Sequence, residues 1–167
     1  GLDRVDLLPA HDPWQKTGDG RLITPAPVRL RMVRALVGAT EGLGVDDREI
    51  SRGGVTYTID TLEEIRREAG DVEIFLIMGA DTASRFDSWH RHGEVAALST
   101  LVVVNRGREE QVVPSGAVRV EFVQMEPVDV SSTAVRDAVA GGRDVTALVG
   151  TGVARIITED NLYGAST

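Results

Sequence analysis

The stretch "EIFLIM", residues 73–78, carries the strongest fold signal in this sequence. After Glu73 it is continuously apolar, which is typical of a strand buried on both faces of a sheet. A second run of this kind, "LVVVN", follows at residues 101–105. Buried strands separated by helical segments predict an α/β fold, a doubly wound parallel sheet with helices on both faces.

The rest of the chain extends this pattern in both directions. Pro27 suits the first turn of a helix, and Gly and Pro punctuate a loop over residues 10–25. At 167 residues the chain fits a single domain. The remaining predicted elements are strands at Val5–Leu8, Val45–Ile50 (weak) and 118–123, and helices at Val28–Val37, Ile59–Glu68, Ser131–Ala140 and Thr146–Thr158.

Composition narrows the function classes. The chain has no cysteine, which excludes disulfides and thiolate chemistry, and its net charge of -8 argues against a nucleic-acid binder. Three histidines make a His-rich metal site improbable, so we expect no protein-held metal. No apolar run or leader pattern indicates a membrane segment or export, so we expect a cytoplasmic protein. The sequence leaves the oligomeric state open, a homo-oligomer included.

In a parallel α/β sheet, ligands bind at the carboxyl ends of the strands. The segments to search for chemistry are therefore Pro9–Lys16, Gly79–Asp81, Asn105–Arg106 and the segment after the 118–123 strand. Lys16, in "HDPWQK", is the only lysine among 18 basic residues. It is either a solvated loop lysine or a mobile charge that meets a phosphate.

The segment "VSSTAVR", residues 130–136, places Ser131, Ser132 and Thr133 where a helix should begin, with Arg136 one turn in. A helix N-terminus attracts anions, and a guanidinium adds a forked, permanently charged donor. The arrangement suits a triphosphate. The alternative is a serine cap followed by a surface arginine.

Other polar segments also allow two interpretations. Gly79 and Asp81 either approach a nucleotide sugar or form a turn with Asp81 as a helix cap. Tyr57 and Thr58 either contact a small polar ring or provide a turn and a cap. Trp89 is either part of the core or a plate for a planar ligand, and the adjacent histidines form at best a weak metal motif.

Taken in order, "DPWQK", "RGGVTYTIDTL", "MGADTASRFDSW", "VSSTAVR" and "VARIITEDNLYG" resemble the bacterial nicotinate-nucleotide adenylyltransferases of the nucleotidyltransferase superfamily. The resemblance covers nearly the whole chain and implies a Rossmann-like fold. It also implies transfer of an adenylyl group from ATP, with Mg²⁺, to nicotinate mononucleotide in NAD biosynthesis.

The resemblance implies roles for individual residues. Lys16 and Arg136 would be catalytic, and Ser131, Ser132, Thr133 and Arg136 would hold the ATP phosphates. Gly79 and Asp81 would lie against the nucleotide sugars, with Arg106 as a further phosphate candidate. Tyr57, Thr58 and Trp89 would frame the nicotinate ring, the tryptophan by stacking.

One departure from the family is large, because the family's opening strand and its GGTFDPxHxGH loop are absent here. We expect roughly thirty preceding residues, including the first central strand of the sheet, and we expect residues 1–167 alone to be unstable and inactive. Two alternatives remain open. One is a sister adenylyltransferase such as the phosphopantetheine enzyme, and the other is a degenerate, non-catalytic nucleotide-binding module.

Overall fold

The computed structural model describes residues 1–12, 23–106 and 111–164, and for Arg106 the backbone only. These residues form two compact units. The first unit combines residues 1–56 with residues 129–167, and the second spans residues 57–128. Each unit is described below by itself.

The first unit contains a two-stranded parallel sheet. β1 (Val5–Leu7) pairs with β2 (Leu43–Val45), with Asp6 opposite Gly44. A connection between parallel strands needs a crossover, and here helix α1 (Ala26–Val37) supplies it. Pro27 lies in the first turn of α1, where its missing N–H is not needed, so this part of the sequence prediction is confirmed.

The predicted strand over Val45–Ile50 is wrong beyond its first residue, because β2 ends at Val45 and helix α2 (Arg48–Arg52) begins three residues later. The carboxylate of Asp46 accepts a hydrogen bond from the backbone N–H of Arg48 at 2.9 Å and another from its Nε at 2.6 Å. An aspartate that bonds the backbone two residues ahead forms a turn and ends a strand.

The first unit is completed by three C-terminal helices: α6 (Ser132–Ala140), α7 (Thr146–Val149) and α8 (Thr151–Glu159). The single helix predicted over Thr146–Thr158 is wrong, because the chain turns at Gly150 with φ 77°. That left-handed conformation is open to glycine and unfavourable for other residues. Val135, Val139, Val153 and Ile157 form the core here, with Met32 and Ala35 packed against it.

The second unit is a three-stranded parallel sheet in the order β3-β4-β5. The pairing places Met78 opposite Val103 and Asn105 opposite Gln124. Its elements are α3 (Thr58–Ala69), β3 (Phe75–Gly79), α4 (Ala80–Ala83), a 3₁₀ turn (Phe86–Ser88), α5 (His92–Leu98), β4 (Thr100–Arg106) and β5 (Val120–Met125).

The core of the second unit lies between this sheet and its helices. Phe86, Ile59, Val95, Leu101 and Val103 are all fully buried. The two runs that decided the fold from the sequence are therefore adjacent parallel strands, as predicted. The alternating segment that was predicted to be a strand at 118–123 forms β5, shifted two residues along the chain.

Candidate active site

The N-terminus of α6 is built by its own sequence. Ser131 is the residue that caps the helix, and its Oγ accepts a hydrogen bond from the backbone N–H of Ala134 at 3.1 Å. Ser132 and Thr133 follow in the first turn, with exposed side chains. The cap was the plainer of the two interpretations of this segment, and it is confirmed. It leaves two hydroxyl groups and the remaining N–H groups of the first turn at a positive helix end.

Arg136 is the charged residue of this segment. Its side chain is half-buried, and Nη2 donates a hydrogen bond to Thr133 Oγ1 at 3.2 Å. Within the described part of the chain, no carboxylate forms an ion pair with it. The exposed Arg155 of the same unit, in contrast, lies 3.7 Å from Glu159. A partly desolvated guanidinium that lacks a carboxylate partner is suited to bind an anionic ligand.

At the carboxyl end of β3, Gly79 leads directly into α4 as its capping residue. Asp81 is therefore inside the helix, and its alternative interpretation as the cap is wrong. A Cβ atom added to Gly79 would lie 2.7 Å from Asp81 Oδ1, closer than real contacts allow. The absence of a side chain at Gly79 thus lets the exposed carboxylate of Asp81 fold back over the end of the strand.

The predicted ring-binding residues lie in the second unit. Thr58 is the first residue of α3 and does not cap it, because Tyr57 occupies that position without a side-chain hydrogen bond. The ring of Tyr57 contacts His90, with centroids 4.4 Å apart and planes tilted by 37°. Trp89 is half-buried and lies 5.4 Å from the ring of Phe86. Tyr57 and Trp89 both pack against the same core cluster.

The two histidines near Trp89 have different partners. His90 lies on Tyr57, whereas the ring of His92 meets Phe86 edge-on with centroids 6.0 Å apart. Across residues 1–12, 23–106 and 111–164, the structure has no group of three His, Asp or Glu side chains that could hold a metal ion.

Arg91 holds the segment between Trp89 and α5 in place, a role that sequence reasoning missed. Its guanidinium lies 2.7 Å from Glu63 Oε1 and 2.6 Å from Glu94 Oε2, and its backbone has φ 53°. The hydrogen bonds to Glu94 and Glu63 raise the pKa of Arg91, and the hydrogen bond from Arg91 lowers the pKa of Glu94. Because Glu63 is 28 residues from Arg91, sequence spacing could not reveal the pair.

Lys16 lies outside the described residues, but both flanks of its segment are described. Arg29, on α1, donates from Nη2 to the carbonyl oxygen of His11 at 2.8 Å and from Nε to that of Thr24 at 2.9 Å. Burial is the main cause that lowers the pKa of Arg29. One arginine therefore ties the backbone on both sides of residues 13–22. Arg29 was not singled out from the sequence, because nothing there shows which arginine bonds to main-chain carbonyls.

Asn105 is the most deeply buried polar side chain at the carboxyl end of the β3-β4-β5 sheet. It is 2% exposed, and no described group forms a hydrogen bond with its Oδ1. The sequence marked Asn105–Arg106 as a place to look for chemistry, but it did not indicate that Asn105 Oδ1 is buried without a hydrogen-bond partner among the described residues. Arg106 ends β4, and its side chain lies outside the described part.

A parallel α/β fold with polar residues after its strands is typical of nucleotide-binding proteins. The cytidylyltransferase-like family matches residues 2–138 of the chain. Curated relatives named "Probable nicotinate-nucleotide adenylyltransferase" include one from Corynebacterium kroppenstedtii, 34% identical over 97% of this chain and 77% of its own length. A second, from Methylibium petroleiphilum, is 36% identical over 97% of this chain and 79% of its own.

A solved structure gives the same fold. The Plasmodium falciparum nicotinic acid mononucleotide adenylyltransferase, complexed with APC, superposes with a TM-score of 0.77 at 13% identity, over 99% of this chain and 84% of that one. The predicted Rossmann-like nucleotidyltransferase fold is thereby confirmed.

The chain belongs to the cytidylyltransferase-like family and, within it, to the nicotinate-nucleotide adenylyltransferases. No helix in the described ranges is long and apolar enough to cross a membrane.

Proposed function

We propose that this protein transfers the adenylyl group of ATP to nicotinate mononucleotide, forming nicotinate adenine dinucleotide and pyrophosphate in NAD biosynthesis. The observation that carries the proposal is the similarity, over 97% of the chain, to proteins named nicotinate-nucleotide adenylyltransferase. The predicted family is confirmed by that similarity, and the substrates follow from the relatives' names.

In the reaction, a phosphate oxygen of the mononucleotide attacks the α-phosphorus of ATP, and the bond from that phosphorus to the pyrophosphate oxygen breaks. The attacking oxygen is already anionic, so no strong base is needed. Catalysis then depends on orienting the two substrates and on stabilising the negative charge that builds up around the α-phosphorus.

The N-terminus of α6 is suited to hold the ATP phosphates. Ser132 and Thr133 supply hydroxyl donors there, and the half-buried Arg136 supplies a guanidinium without a carboxylate partner in the described part of the chain. Lys16 and Arg106 are further candidates for the phosphates. Because Arg136 can bind two oxygens at once, it would orient a phosphate group as well as neutralise it.

The carboxyl end of β3 and the aromatic residues of the second unit are suited to the mononucleotide. Tyr57 and Trp89 both pack on the core of that unit, so their rings have fixed positions from which to frame a nicotinate ring. Thr58 adds a hydroxyl beside Tyr57, and Asp81 accepts hydrogen bonds from a sugar.

Mg²⁺ would accompany ATP. The described residues contain no cluster of three acidic or histidine side chains, so they do not form a dedicated metal cage. A magnesium ion that is carried mainly by phosphates and water needs few protein ligands.

The direct experiment is product analysis with the natural full-length protein, ATP and nicotinate mononucleotide. We expect nicotinate adenine dinucleotide and pyrophosphate in equal amounts. The same assay with 4′-phosphopantetheine tests the sister enzyme, and turnover of that substrate alone would refute the proposal. Binding of ATP without turnover of either acceptor would instead support the non-catalytic alternative.

A further inference from the structure

We propose that Asn105 is a substrate-positioning residue, whose side-chain oxygen accepts a hydrogen bond from a ribose hydroxyl of the mononucleotide. The inference rests on the proposed function and adds a contact to it. It starts from one observation. Asn105 Oδ1 is buried in a residue that is only 2% exposed, and it has no hydrogen-bond partner among the described residues.

A buried acceptor without a partner is costly, because it has lost its hydrogen bonds to water. Native proteins satisfy nearly all such groups, so each exception needs an explanation. The buried residues that precede Asn105 in the same strand, Leu101, Val102 and Val103, are all apolar. An asparagine that weakens the strand and its core is therefore better explained by binding than by stability.

The position of Asn105 in the sheet favours a ligand as its missing partner. Gly79, at the carboxyl end of β3, is opposite Val104, so Asn105 lies one residue beyond the end of that pairing. This is the edge of a parallel sheet at which ligands bind. Ser99, at the opposite end of the strand, is also buried, but its hydroxyl donates to the carbonyl oxygen of Val95 at 2.8 Å.

The face of β4 on which Asn105 lies points to the mononucleotide rather than to ATP. Side chains alternate along a strand, so Leu101, Val103 and Asn105 share one face. Leu101 and Val103 belong to the core cluster against which Tyr57 and Trp89 pack. Asn105 therefore lies on the same face of β4 as the core residues against which Tyr57 and Trp89 pack, but closer to the ligand-binding edge of the sheet.

The chemistry of Asn105 Oδ1 indicates which group of nicotinate mononucleotide it can bind. An amide oxygen needs a donor. The phosphate and the ring carboxylate of nicotinate mononucleotide are acceptors only, whereas its ribose carries hydroxyl donors. A ribose hydroxyl is thus the part of that substrate that completes the hydrogen bonding of Asn105.

The test uses the natural full-length protein and removes each partner of the proposed hydrogen bond in turn. A substitution removes the side-chain amide of Asn105, and deoxy substrates remove the ribose hydroxyls. Asn105→Val removes the amide and keeps a residue that suits a strand. We expect the KM for nicotinate mononucleotide to rise about tenfold, at the upper end for a lost hydrogen bond of a buried group, with the KM for ATP unchanged. Because an unsatisfied polar group is removed, the Tm should stay equal to the wild-type value or exceed it.

Thr100→Val is the matched control. It makes a similar polar-to-valine change at the other end of β4, where Thr100 Oγ1 accepts from Arg119 Nε at 3.2 Å. We expect wild-type KM values for both substrates in this variant.

The substrate deletion uses 2′-deoxy and 3′-deoxy nicotinate mononucleotide. With wild-type protein, kcat/KM for one of these deoxy substrates should be about tenfold lower than for the natural substrate. With Asn105→Val, kcat/KM for that deoxy substrate and for the natural substrate should be equal. If wild-type protein uses both deoxy substrates as well as the natural one, the inference is overturned, even if Asn105→Val does not fold. A rise in the KM for ATP alone, or unchanged kinetics with a lowered Tm, would also overturn it. If the wild-type protein forms no dinucleotide from nicotinate mononucleotide, the proposed function itself has failed.

Discussion

The start of α6 in the first unit and the carboxyl end of β4 in the second unit are built in opposite ways. At α6, the hydrogen bonds from Ala134 to Ser131 and from Arg136 to Thr133 each join residues three apart in sequence. Ser131 and Thr133 are exposed, and Arg136 is half-buried. At β4, Asn105 pairs with Gln124 of β5, 19 residues further along the chain, and its buried Oδ1 has no hydrogen-bond partner among the described residues. A locally built site can be found from a motif, whereas a site built by packing is found only in the structure.

The largest effect on stability should come from the core of the second unit. Phe86 is fully buried and contacts both Trp89 and His92. Phe86→Ala should destabilise the protein by about 3–5 kcal/mol, because it leaves a cavity beneath those rings. Chemical denaturation measures the change. If stability fell by less than about 1 kcal/mol, the packed framework assigned to the aromatic residues would be in doubt.

The next largest effect should come from the phosphate end. Arg136→Ala should lower kcat/KM for ATP by about a hundredfold, since a charge-assisted and forked contact to phosphate is lost. Arg136→Lys should recover only part of this activity, because an ammonium cannot bind two oxygens in the same geometry.

Arg155→Ala is the control for that prediction. Arg155 belongs to the same unit but is exposed and pairs with Glu159 at 3.7 Å, so its removal should leave steady-state kinetics unchanged. Equal losses in the two variants would mean that Arg136 contributes only general positive charge.

A smaller effect is expected at Lys16. Lys16→Ala should lower kcat/KM at least tenfold, about 1.4 kcal/mol, while the Tm stays at its wild-type value. Steady-state kinetics and thermal unfolding of the same preparation separate the two quantities. Wild-type kinetics in the variant would identify Lys16 as an ordinary solvated lysine.

The smallest effect should come from the helix cap. Ser131→Ala should cost about 1 kcal/mol of unfolding free energy, because the N–H of Ala134 loses its partner, whereas Ser131→Gly should cost only a few tenths. Denaturant titration of both variants provides the comparison. If the wild-type protein and Ser131→Ala have the same free energy of unfolding, the hydrogen bond from the Ala134 N–H to Ser131 Oγ does not stabilise the helix.

The sequence was sufficient where structure depends on neighbouring residues. The apolar runs in β3 and β4, Pro27 at the start of α1 and the serine cap of α6 were all predicted correctly. Two predicted elements were wrong for local reasons that the apolar pattern did not show. The carboxylate of Asp46 accepts a hydrogen bond from the N–H of Arg48 and ends the strand predicted over Val45–Ile50, and Gly150, with φ 77°, interrupts the helix predicted over Thr146–Thr158.

Long-range contacts limited the prediction of the site. The pair of Arg91 with Glu63, the hydrogen bonds from Arg29 to His11 and Thr24, and the burial of Asn105 each depend on how separated segments meet. No spacing rule within one helix or strand could reveal them. The roles given to Gly79, Asp81, Tyr57, Thr58, Trp89, Arg106 and Lys16 come from family resemblance and remain predictions.

We propose that this adenylyltransferase recognises ATP at the start of α6 and nicotinate mononucleotide at the carboxyl end of β4. One steady-state experiment tests it most directly, by measuring the KM for each substrate in natural full-length protein carrying either Arg136→Ala or Asn105→Val. We expect opposite outcomes, with a raised KM for ATP alone in the Arg136→Ala variant and a raised KM for nicotinate mononucleotide alone in the Asn105→Val variant. The same substrate affected in both variants, or neither substrate affected in either, would contradict it.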